Sequence, residues 1–162
     1  MRTVDTVLFD KTGTLTMGAP AVTAVHVVDP GTENELLALA AAAETDSEHP
    51  LARAIVAAAR ERSLGIPTAS EFTSSPAVGV SALVAAAGTP GRTVQVGGPY
   101  LLEQANATEL PIGDAWREQG AIILHVLIDG HVAGALRLAD EIRPESRAAV
   151  DELHARGVQV VM

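Results

Sequence analysis

FDKTGTLT, residues 9–16, decides how the rest of the chain is read. It closes VDTVLF (4–9), a short, valine-containing apolar run. Such a run predicts a strand buried on both faces, the type found in parallel sheets. Asp10 then stands at the strand's C-terminal end, where open α/β sheets bind ligands. A carboxylate there can act as a nucleophile toward phosphorus and form an aspartyl phosphate. Lys11 supplies positive charge beside it. Gly13 permits the tight turn that lets following N–H groups face a phosphate. Thr12 carries no group that exchanges a proton near neutral pH. The phosphoenzyme should therefore be long-lived, because general acid/base help for its hydrolysis is missing. Residues 10–20 as a whole read as a polar, glycine-punctuated loop.

Composition narrows the classes of partner. The chain has 162 residues, enough for one domain or two small ones, and 48% are hydrophobic, enough for a sizeable core. Much of that share is alanine, so the core should be helix-rich and built from small side chains. Aromatics are 2%, too few for base-stacking platforms. The net charge of −9 comes without a Lys/Arg cluster, which argues against nucleic acid and anionic membrane. With no cysteine, the chain offers no disulfide partner and no thiolate metal site. His26, His125, His131 and His154 are scattered and do not carry metal-ligand spacing. No apolar run reaches the ~18 residues of a membrane span, and no signal peptide is visible.

The chain alternates in character. AVTAVHVVD (21–29) reads as a strand broken by Pro30 and Gly31. Thr32 and Glu35 form a capping box for a helix running to about Glu44. TDSEHP (45–50) interrupts, and Pro50 suits the first turn of a second helix through LARAIVAAARERS. Strands are expected at about 70–74, 79–86 and 92–97, then short helices at 99–105 and around Trp116. AIILHVLID (121–129) and HVAGALRLA (131–139) read as a hairpin turned by Asp129-Gly130. Pro144 opens a helix stopped by Gly157, and VQVVM (158–162) is another apolar strand. Strand–helix–strand order at the two ends, with an α+β block between, predicts an insertion. The chain leaves one domain after Asp10 and returns near Asp140.

Asp10-Lys11-Thr12-Gly13-Thr14-Leu15-Thr16 resembles the phosphorylation signature of P-type ATPases, within the haloacid-dehalogenase-like superfamily. SEHPLARAI (47–55) resembles the nucleotide-binding domain of the heavy-metal-transporting branch. That resemblance implies an α+β nucleotide-binding domain, an antiparallel sheet flanked by helices, inserted into an incomplete α/β phosphorylation domain. The boundaries it implies are 1–18 and 139–162 for the phosphorylation domain and 19–138 for the inserted one. It implies ATP as ligand. His49 at a helix start can stack on or hydrogen-bond to adenine, Pro50 fixes the entry of the helix, and Glu44 matches the adenine-contacting glutamate by position. As a carboxylate, Glu44 can accept from the exocyclic amine. A lone histidine before a proline is otherwise a capping or surface residue.

Two segments depart from the family pattern. A glycine pair separated by one residue maps onto Ala77 and Gly79, and only the second glycine is kept. A Gly-Asn pair maps onto Gly97 and Gly98, so the asparagine amide is missing. Both departures imply weaker or shifted nucleotide binding, and two ordinary turns are the plainer reading of Gly97 and Gly98. DEIRPES (140–146) resembles the segment that re-enters the phosphorylation domain. It gives Asp140 and Arg143 a hinge or interdomain role, or the simpler one of helix cap and solvated charge. Asp10 and Thr12 are the Mg²⁺ ligands implied, an incomplete set, because the Gly-Asp-Gly-x-Asn-Asp segment of the family is not in this sequence. The expectation is a soluble, cytosolic piece of a bacterial plasma-membrane exporter of a heavy-metal cation, copper favoured. Its partners are the rest of the transporter, the membrane and actuator domains. Alone it should bind nucleotide without efficient phosphorylation of Asp10. The alternative is a soluble phosphatase of the same superfamily with a cap domain. Thr12, where such a hydrolase needs a carboxyl, argues against it.

Overall fold

The computed structural model describes residues 5–9, 11–28 and 30–161; Val4, Asp10, Asp29 and Met162, which belong to segments read above, lie outside it. The chain forms two compact units, one from residues 1–20 and 140–162, the other from Ala21–Ala139.

In the first unit, strand β1 (Thr6–Leu8) pairs in parallel with β8 (Gln159–Val161), with Val7 opposite Val160. The parallel pairing is as expected; burial on both faces is not. Leu8 is 77% exposed and the β1 pattern is exposed–intermediate–exposed. Apolar composition marks a strand, but its burial depends on what covers it, and among the described residues this sheet has two strands. Residues 11–20 are not a loop either. Lys11–Leu15 make one π-helical turn, and Thr16 begins a long strand, β2 (Thr16–Val27). Pro20 lies on β2, an edge strand among the described residues, the place in a sheet where proline is accommodated. Helix α5 (Pro144–Ala155) opens with proline at its first position and is followed by Gly157 at φ 75°, the left-handed C-terminal stop.

The second unit carries the sheet order β2-β7-β6-β5-β4-β3. Here β3 is Thr68–Ser75, β4 Gly79–Ala85, β5 Arg92–Gly97, β6 Ile122–Ile128 and β7 His131–Ile142. From β3 to β7 each neighbouring pair is antiparallel. Asp129 and Gly130 turn β6 into β7 with φ 51° and 79°, the mirror-type turn that hairpin twist requires. Period-two alternation sorts β6 between two faces. Leu124, Val126 and Ile128 join Val94 and Val96 of β5 in the main core. Ile123 and Leu127 point to the other side.

Helices cover both faces. Helices α1 (Glu33–Glu44) and α2 (Pro50–Glu61) supply Leu36, Leu37, Ala40, Ala41, Ile55 and Ala59 to the main core. The alanines leave thin side chains between helix and sheet, so the backbones lie close. Thr32 and Glu35 make the full capping box at the start of α1, each reaching the other's backbone N–H. On the opposite face α3 (Pro99–Gln104) packs Leu101 and Leu102 on Leu127. Helix α4 (Ile112–Glu118) sets Trp116 against Ile123 and Ala135.

Candidate functional site

A cavity of about 330 Å³ opens where α1 ends, α2 begins and the β3–β4 turn meets the end of β5. Glu44, His49, Ala77, Gly79, Gly97 and Gly98 all line it. Six of the sequence-derived positions, spread over 55 residues of chain, thus converge on one place. Pro50 does not line it but holds the first position of α2, behind the His49 N-cap. Ser47, Ser74, Ser75 and Leu124 also line it and were not singled out from sequence. Ser74 and Ser75 end β3 at the edge of the strand expected at about 70–74, and Leu124 looked like any other core residue.

His49 takes the capping role, at the mouth of the cavity. Its Nδ1 accepts from the Leu51 N–H at 3.2 Å, capping α2. In the neutral ring the proton is then on Nε2, which leaves a donor for a ligand. Glu44 is the last residue of α1 and only 6% exposed. Burial pushes its carboxyl up to about 7, with the Ser47 hydroxyl pulling partly back. Among the described residues no Lys or Arg lines the cavity. The lining suits a flat, neutral, hydrogen-bonding group better than a phosphate.

The glycines of the cavity wall differ in what their missing side chains permit. Gly79 and Gly97 face each other across the β4–β5 ladder. A Cβ on Gly79, which holds φ 140°, would lie 2.1 Å from Val96 O; one on Gly97 would lie 2.0 Å from Val78 O. Their absent side chains let two backbones close over the cavity wall. Gly98 is different: a Cβ there meets open space, and as N-cap of α3 it makes no side-chain cap bond. Ala77 occupies the left-handed region at φ 65°. An L-residue pays about 1 kcal/mol there that glycine does not. Ala77→Gly is therefore expected to stabilise the chain by about 1 kcal/mol, read as a raised urea midpoint with unchanged slope.

In the other unit the phosphorylation-type motif is held by residues from the far end of the sequence. Asp10 lies outside the described residues, as do the side chains of Lys11 and Thr12, which begin the π-helical turn. The Asp140 carboxylate accepts from Thr16 Oγ1, from Gly18 N–H at 3.0 Å and from Ala19 N–H at 3.2 Å. Arg143 donates from Nε to Thr16 O at 3.0 Å and from Nη2 to Gly13 O at 3.4 Å. The buried Ser146 hydroxyl donates to Leu15 O at 2.9 Å. Asp140 lies inside β7 rather than at a strand end, and Arg143 precedes α5 without a side-chain cap bond. These described bonds of both residues stay within one unit and brace the motif turn. Ser146 was not singled out, and its three-residue spacing from Arg143 was the available signal.

The family model for haloacid dehalogenase-like hydrolases matches residues 4–162. A silver exporting P-type ATPase from Salmonella typhimurium is 34% identical over 98% of this chain and 19% of its own length. Copper-exporting P-type ATPase B from Archaeoglobus fulgidus is 40% identical over 96% of this chain and 22% of its own. The chain thus spans about a fifth of these curated relatives. Among solved structures, a zinc-transporting PIB-type ATPase in its E2.Pi state superposes with a TM-score of 0.82 at 35% identity, over 98% of this chain and 25% of that one.

Proposed function

The chain belongs to the haloacid dehalogenase-like hydrolase family, and from that premise we propose that it is the nucleotide-binding part, with portions of the phosphorylation part, of a P-type ATPase exporting a heavy-metal cation. The observation that carries the reading is the convergence of Glu44, His49, Ala77, Gly79, Gly97 and Gly98 on one cavity. Residues 19–138 bind ATP; 1–18 and 139–162 belong to the phosphorylation domain. The base enters the cavity between Glu44 and His49, and the cation-free lining leaves the triphosphate outside it. In the whole transporter an Asp10 carboxylate oxygen attacks the γ-phosphorus, the bond to the β,γ-bridging oxygen breaks, and ADP leaves. Positioning and charge neutralisation supply most of such a rate. Asp140, Arg143 and Ser146 serve by fixing the backbone of residues 13–19.

Copper is the favoured cargo. A copper-exporting relative matched at 40% identity supports that cargo, beside relatives and solved structures named for silver, cobalt/nickel and zinc. Mg²⁺ would be the family's usual companion of ATP. Among the described residues no group of three or more His, Asp or Glu could hold a metal. Both Asp140 oxygens are already accepting hydrogen bonds. The described residues therefore do not assemble a Mg²⁺ site by themselves.

The test is an ATP titration of this chain followed by amide NMR, with His49→Ala in parallel. Shifts should cluster at Glu44, His49 and Gly79 and weaken at least tenfold in affinity in the variant, about 1.4 kcal/mol. No shifts at millimolar ATP would overturn the reading. Turnover of a small phosphoester by the chain alone would favour the capped phosphatase instead.

A further inference from the structure

The cavity holds one carboxyl and no cation. Glu44 is buried at the end of α1, and among the described residues it has no ion-pair partner. Of the other titratable groups around it, His49 from α2 lines the same cavity, while Asp46 and Glu48 in the α1–α2 turn are exposed. The β3–β4 turn, the end of β5 and Leu124 of β6 contribute none to the lining. A desolvated carboxylate without a cation is the expensive form of this side chain. Burial accordingly holds the proton on Glu44 up to about pH 7.

The neutral form has a different recognition surface. A carboxylic acid presents one O–H donor and one C=O acceptor side by side. Adenine presents the complement along one edge, an exocyclic amine donor beside a ring-nitrogen acceptor. A glutamine or asparagine amide reads adenine bidentately for the same reason. A carboxylate offers acceptors only and would set a lone pair against the ring nitrogen.

We propose that Glu44 reads the nucleobase as a neutral acid, donating to a ring nitrogen and accepting from the exocyclic amine, so that nucleotide binding is favoured by acid. This rests on the nucleotide reading above and changes its chemistry. The group that contacts the base is not the carboxylate acceptor expected from sequence, and the site senses pH.

Calorimetric titration of the chain with ATP at pH 6, 7 and 8, beside Glu44→Gln, tests it. Glutamine keeps the donor–acceptor pair and cannot ionise. Ionisation of the phosphates is common to both proteins, so the ratio of their dissociation constants isolates Glu44. If only the neutral form binds, the wild-type affinity relative to the variant should fall roughly tenfold between pH 6 and 8, and the variant should bind ATP at every pH. A ratio flat with pH, a wild type that tightens as pH rises, or a variant that loses ATP would overturn it. Binding by neither protein at any pH would remove the nucleotide reading itself, whereas binding by both with a flat ratio removes only the proton.

Discussion

Gly97→Ala is expected to cost about 3 kcal/mol or more, a large share of the stability of a marginally stable domain. The new Cβ would stand 2.0 Å from Val78 O and 3.1 Å from Leu101 Cβ. The first of these is backbone in the turn that enters β4 and cannot swing aside as a side chain can. Relief would require β4 and β5 to separate at the one pair, Gly79 opposite Gly97, where they need to be closest. Gly79→Ala should behave alike, with a backbone at φ 140° that an L-residue rarely adopts adding to the clash. Gly98→Ala is the control, because its Cβ meets nothing within 4 Å. Urea unfolding followed by the fluorescence of Trp116, the single tryptophan, compares the three. Near wild-type midpoints for Gly97→Ala would mean that the two strands are not locked at this pair.

That result bears on how the site reads from sequence. The positions were legible because a short contiguous motif and a spaced set pointed to the same family. Their physical roles were less so. Gly79 and Gly97 each stand where a Cβ would strike the backbone of the opposite strand, a relation between residues 18 apart that no local pattern displays. Local chemistry was read well where the structure is local. Thr32 with Glu35 gave the start of α1, and Asp129-Gly130 gave the hairpin, where Asp129 also accepts from Arg92 and from Thr93 N–H. Residues 16–20 failed as a loop because their strand conformation is imposed from outside, by an Asp140 more than 120 residues away. The burial expected for β1 failed for the same reason. His125 shows the limit most plainly. Read as one scattered histidine, it is 1% exposed on the central strand β6, with neither ring nitrogen bonded and Glu109 Oε1 at 3.6 Å from Nε2.

Glu44→Gln is expected to stabilise the chain at pH 8 by about 3 kcal/mol and to change little at pH 4. The wild-type carboxyl ionises near 4.5 when unfolded and near 7 when folded. At about 1.4 kcal/mol per pH unit that gap makes about 3 kcal/mol. Between those two values the unfolded state has lost a proton that the native state keeps, so stability falls as pH rises. Below 4.5 both states are protonated and the penalty is absent; above 7 it is complete. Glutamine has no proton to lose. Burial moves His125 the opposite way, downward, despite the pull of Glu109, so its contribution is present at high pH and fades as pH falls through its unfolded value. That slope is common to wild type and variant and cancels in their difference. The difference curve from urea midpoints should therefore rise from near zero at pH 4 to a plateau above pH 7. A flat curve would mean that Glu44 is solvated in the native state and free to ionise, and a solvated carboxylate could not hold a base as a neutral acid. A curve that rises identifies an acid kept buried at a cost in stability, the kind of cost found where a side chain serves a ligand instead of the fold.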